Sequence, residues 1–166
     1  MRPLATIACA APPPRRVDSI PMSTDQLRAA CKVWLDSRWQ GVYANGSGAW
    51  IVPHITNTAC FVAVGTTADG RDRIHIRAPI LVGVAESPEL YGVVSFSNLD
   101  EPFGFTSVWI DFDAGGRPSL EFGYSLLAET ATSAVLNYLV ELVSKKAVQL
   151  IEQLQPAFGG HSIYES

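Results

Sequence analysis

The sequence predicts an α+β two-layer sandwich: a mainly antiparallel five-stranded sheet with three helices, in the order α-β-β-β-α-β-β-α. Three observations carry this expectation. From Ile74 every second residue is apolar, through Ile76, Ala78, Ile80, Val82 and Val84, the period of a strand with one face on a core. Near the C-terminus Val135, Leu136, Leu139, Val140, Val143, Ala147, Leu150, Ile151 and Leu154 form a wide stripe at helical spacing. Short apolar runs elsewhere are separated by tight turns, which join neighbouring strands as hairpins and so make them antiparallel.

In chain order, residues 1–22 read as a solvated extension, with Ala11 to Arg16 stiff and proline-rich. Leu4 to Ala11 is short for a signal-peptide core and follows one arginine, and Cys9 has no leucine three residues before it. Met22-Ser23-Thr24-Asp25 reads as an alternative start to Met1. The ordered domain is expected over 23–160, with 161–166 frayed. The first helix is predicted from Thr24 to Gln40, capped by Ser23, Thr24 or Asp25 and ended by Gly41; Leu27, Ala30, Cys31, Trp34 and Leu35 share one side. Asn45 to Gly48 reads as a turn-rich link. Strands follow over 49–55 and 58–65, joined around Thr56-Asn57, and Ala68 to Arg71 turns the chain into the long strand. Pro79 cannot donate to a ladder and Gly83 packs nothing, so both mark bulges, bends or edges. Ser87-Pro88-Glu89 supplies a cap, a first-turn proline and an acidic first turn, which start the second helix. It ends near Leu99, before Pro102. Phe105 to Phe112 and Pro118 to Leu127 form a last hairpin, and Thr130 or Thr132 opens a helix running to about Gln155, which Pro156 kinks or stops.

The 166 residues fit one domain with a core of its own. At a net charge of -4 the chain lacks the positive field that nucleic acid attracts, so no nucleic-acid partner is expected. No apolar run reaches the roughly 18 residues that span a bilayer. Cys9, Cys31 and Cys60 are widely spaced with no CxxC pair, which suits reduced thiols in a cytoplasmic protein.

No GxSxG, Walker loop, HExxH or GxGxxG occurs, and no catalytic residue, cofactor or metal is expected. Asp111 to Gly116 resembles a fragment of a calcium loop but lacks the closing glutamate, so Asp113 reads as a turn residue. His54 and His75 would need further ligands to hold zinc, and none is evident. Asp111 and Glu121 lie on adjacent hairpin strands, where solvated carboxylates are common. The candidate site is instead a surface. Alternation places Trp50, Val52, His54, Phe61, Arg73, His75, Arg77 and Trp109 on the outer sheet face, where aromatics with arginine suit a binding patch; the alternative is that a helix or the chain's own tail covers this face. Leu90, Val93 and Val94 on the second helix form a second candidate, as a groove or dimer surface, although packing on the chain's own sheet is the favoured reading of that face.

Several local sequences carry a resemblance. Ile76 to Val82 runs into Ser87-Pro88-Glu89-Leu90-Tyr91; Asn98-Leu99 and Glu101-Pro102-Phe103-Gly104 follow; the second hairpin ends in Ser125-Leu126-Leu127; and the last helix closes on Phe158-Gly159-Gly160. Over about residues 23–160 this resembles the YbjN / type III secretion chaperone-like superfamily, and more narrowly the actinobacterial TY-Chap type of domain. The chain departs from that pattern in its uncharged second helix, Gly92 to Phe96, and in fewer acidic residues on the last. The resemblance implies a non-enzymatic, chaperone-like domain that binds a protein or peptide client, often as a homodimer. Some relatives are called sensory transduction regulators, which is the alternative reading; a small-ligand or enzymatic pocket between sheet and helices is the third.

Overall fold

The computed structural model describes residues 22–53, 58–100, 103–111 and 116–163. Along them run α1 (Thr24–Asp36), β1 (Tyr43–Ala44), β2 (Trp50–Pro53), β3 (Ala59–Thr66), β4 (Asp72–Leu81), α2 (Pro88–Asp100), β5 (Phe105–Asp111), β6 (Arg117–Leu127) and α3 (Ser133–Phe158). The architecture is α+β with three helices, but the sheet has six strands rather than five, in the order β1-β2-β3-β4-β6-β5. Every neighbouring pair is antiparallel. The chain leaves β4, crosses through α2 to the far edge, lays down β5 and returns with β6 between the two.

The additional strand, β1, lies just before the turn-rich link expected at Asn45–Gly48, in residues to which the sequence assigned no element. Asn45 Oδ1 accepts from the backbone N–H groups of Ser47 and Ala49 at 3.1 and 2.9 Å, and Asn45 N–H donates to Ala49 at 2.8 Å, so residues 45–49 close a hairpin. The helix α1 starts as expected, with a reciprocal capping box between Ser23 and Gln26. It stops at Asp36 rather than Gln40, because the Ser37 hydroxyl takes the Trp34 carbonyl at 2.7 Å and the chain turns out over residues 37–41.

Ile74, Ile76, Ala78 and Ile80 are all buried, as their alternation requires. The register slips between Pro79 and Leu81, so Ile80 and Leu81 both face inward. Proline has no N–H to give the ladder, and a bulge there relieves the missing bond. Leu90 N–H donates to Ser87 Oγ at 3.2 Å, the cap the sequence announces. Thr132 caps α3 through Val135 N–H at 3.2 Å. This helix passes Pro156 and ends at Phe158, since a proline so near the end forfeits one backbone bond. His161 then exchanges backbone hydrogen bonds with Val82, at 2.9 and 3.1 Å. Residues 1–21, with the Met1 or Met22 start, and residues 164–166 lie outside the described residues.

One hydrophobic cluster joins Leu27, Cys31 and Leu35 of α1, Leu90 and Val94 of α2, and the stripe of α3 to the inward residues of the sheet. All three helices therefore cover the same sheet face. Asn137 locks α1 to α3: its side chain accepts from Trp39 Nε1 at 2.8 Å and donates to the Trp34 carbonyl at 2.9 Å. Cys31 and Cys60 are buried free thiols whose pKa is pushed up to about 12 by burial, so neither is a ready nucleophile.

Candidate functional site

With the helices on one side, no other described element covers the second sheet face. A single row of Cα partners crosses all six strands on this face: Tyr43, Ile51, Phe61, Arg77, Gly123 and Phe105. Gly123 is the low point of that row. A Cβ there would meet Arg77 Cγ at 3.4 Å and Phe105 Cζ at 3.5 Å, so the arginine stem and the phenylalanine ring lie over the bare backbone. The next row holds Ala63, His75 and Ser125, and the one after it Gly65, Arg73 and Leu127. Trp109 stands opposite Ser119 near the far end and is 43% exposed, as is Phe105.

The electrostatics of the face are one-sided. Arg77 lies 3.7 Å from Glu121, whose carboxylate also accepts the Ser107 hydroxyl at 3.1 Å. Arg73 Nε is buried and finds no partner among the described residues. His75 Nδ1 and Ser125 Oγ are 2.9 Å apart. Burial, then the charges of Arg77 and Arg73, hold the His75 pKa below its ordinary value. The sign follows directly. Below the ordinary imidazole pKa of about 6.5 the unfolded chain takes a proton that folded His75 resists, so stability falls as the solution is acidified through that value. We expect His75→Gln to flatten this loss in urea titrations run at neutral and mildly acid pH.

Of the residues expected on this face, Phe61, Arg73, His75, Arg77 and Trp109 are there. Trp50 and Val52 are not. They pair with Val62 and Cys60, are 6% and 1% exposed, and point into the core. Their strand reads Trp-Ile-Val, apolar on both faces, so alternation alone gives no phase. His54, the Thr56-Asn57 turn, Asp113, and Glu101-Pro102 lie outside the described residues. Asp111 and Glu121 do not pair: Glu121 stands opposite Ser107, and Asp111 opposite Arg117. Tyr43, Ile51 and Phe105 belong to the face and escaped the sequence reading.

The second candidate surface divides. Leu90 and Val94 are buried against the sheet, while Val93 is exposed. Phe96 and Leu99, not among the candidate surface residues, are 69% and 79% exposed. Val93 and Phe96, with Ser97, Thr106, Lys146, Leu150 and Gln153, line a groove of about 400 Å³ between α2, β5 and α3, and Lys146 is the one ionisable side chain among these. Asn98 of α2 occupies one position of the sheet's edge strand: its side-chain amide donates to the Thr106 carbonyl at 2.8 Å and accepts Thr106 N–H at 2.6 Å. Among the described residues no group of three or more His, Cys, Asp or Glu side chains could hold a metal, and no helix is long and apolar enough to cross a membrane.

Among the described residues, the sheet is screened by helices on one face and open on the other, which defines an α+β module. Its architecture is the fold of YbjN. The structure is similar to that of YbjN from E. coli, with a TM-score of 0.58 and 17% identity, over 84% of this chain and 96% of that one. It is also similar to the Yersinia pestis type III secretion chaperone SycH, in complex with a stable fragment of YscM2, with a TM-score of 0.47 and 17% identity over 75% and 98% of the two chains. No protein-family model and no curated protein matches the sequence.

Proposed function

We propose that the protein is a non-enzymatic, chaperone-like binding module of the cytoplasm, which holds an extended segment of another protein and works as a homodimer. The observation that carries this reading is a sheet face that no described helix covers, where Phe61, Phe105 and Trp109 alternate with arginines. The face serves better than the edges. At one edge β1 is two residues long, and at the other Asn98 occupies the Thr106 backbone groups. Affinity capture from the native host, followed by mass spectrometry, tests the reading. Wild-type protein retains a defined client that Phe105→Glu and Trp109→Glu lose; retention unchanged by both substitutions overturns it.

We assign the dimer to α2, whose Phe96 and Leu99 are among the most exposed apolar side chains described. Light scattering of the wild type gives a dimer at micromolar concentration, and Phe96→Glu with Leu99→Glu gives a monomer of unchanged melting temperature. A wild-type monomer at that concentration removes the dimer from the proposal.

A further inference from the structure

We infer that the segment held on the open sheet face is acidic: its carboxylates meet Arg73 and Arg77, and its apolar side chains meet Phe61, Phe105 and Trp109. The inference rests on the binding-module reading and names the chemistry of the partner.

Charge complementarity carries it. Across the central strands of this face, Arg73 and Arg77 meet one described carboxylate, Glu121, and that group is already taken by Ser107 and Arg77. Among the described residues no carboxylate forms an ion pair with Arg73. Its Nε is buried and finds no acceptor among the described residues. Asp72 does not help, because it points to the helical side and accepts the hydroxyls of Thr24 and Thr66 at 2.9 and 2.7 Å. A guanidinium fork on an apolar floor suits a carboxylate, which it binds through two parallel N–H bonds. Gly65 and Gly123 keep that floor low, with the His75 ring and the Arg77 stem lying over them. An extended segment can then rest flat, its acidic residues on one side and its apolar residues beside them.

Other occupants fit this charge pattern less well. Residues 1–21 carry Arg2, Arg15 and Arg16 against Asp18, so this chain's own tail brings cations to a cationic face. A second copy stacked on the same face about a two-fold axis sets arginines against arginines. A nucleic acid would gain two arginines on a protein whose net charge is -4.

Fluorescence anisotropy with the full chain tests the inference. The probes are a fluorescein-labelled peptide alternating glutamate and leucine, its lysine counterpart, and an oligouridylate. The glutamate peptide binds, weakens with added salt, and loses about tenfold in affinity with Arg73→Glu or Arg77→Glu. The lysine peptide binds the Arg73→Glu, Arg77→Glu double variant more tightly than the wild type. If either charge reversal fails to fold, Arg73→Gln and Arg77→Gln replace it, and the same loss for the glutamate peptide is expected. Equal binding of both peptides, or glutamate-peptide binding unchanged by either substitution, overturns the inference. Failure of both peptides while a native client is still captured overturns the acidic chemistry and leaves the binding module standing. Tighter binding of the oligouridylate than of either peptide overturns both.

Discussion

Gly104→Ala lowers stability by about 2–5 kcal/mol, which for a chain of this size is a fall of roughly 10 °C in melting temperature. Two effects add. Gly104 has a φ of +74°, a conformation that costs an alanine about 1–2 kcal/mol. Its Cβ would also lie 2.5 Å from Phe122 Cζ and 2.6 Å from the Gly123 carbonyl oxygen. Neither neighbour can retreat. Phe122 is fully buried at the centre of the core, and Gly123 is held in β6 between β4 and β5. Overpacking of this kind costs about 1–3 kcal/mol more. Gly70 separates the two effects, because its φ is +78° and nothing lies within 4 Å of its missing Cβ. Gly70→Ala should therefore show the backbone cost alone. If thermal melts of the two variants coincide, the packing account of Gly104 is wrong.

Legibility in the sequence followed the length and one-sidedness of each pattern. β4 and α3 are long and have one greasy side, so period and burial agree along almost their whole length. The start of α2 was legible because a cap, a proline and a glutamate each have a local physical reason to be there. What escaped depends on distant partners. Tyr43–Ala44 is too short to show a period, and becomes a strand only by pairing with β2. Asn98 looks like any polar residue at a helix end, yet it holds a backbone position on β5. α2 is apolar around most of its circumference, so its sequence does not say that Leu90 and Val94 go inward while Phe96 and Leu99 stay out. The arginines and aromatics of the outer face were legible where their strands alternate cleanly, as in β4, and misplaced where they do not, as in β2.

That misplacement separates the two tryptophans first grouped on one surface. Trp50 lies in the core between β2 and the helices, so Trp50→Ala removes a buried indole and costs about 3–5 kcal/mol, again a fall of roughly 10 °C. Trp109, 43% exposed on the outer face, gives up much less, about 1 kcal/mol. Binding should show the reverse order. Trp109→Ala keeps its melting temperature within a few degrees and loses client capture, since a half-exposed indole releases most of its burial energy only when a partner covers it. Trp50→Ala binds in proportion to the fraction that remains folded. Thermal melts beside capture assays on the two variants decide the matter. A Trp50→Ala protein that melts like the wild type would mean that β2 is turned over by one residue, with Ile51 in the core. The row from Tyr43 to Phe105 would then be broken at its second member, and the continuous platform proposed for the client would end at Phe61.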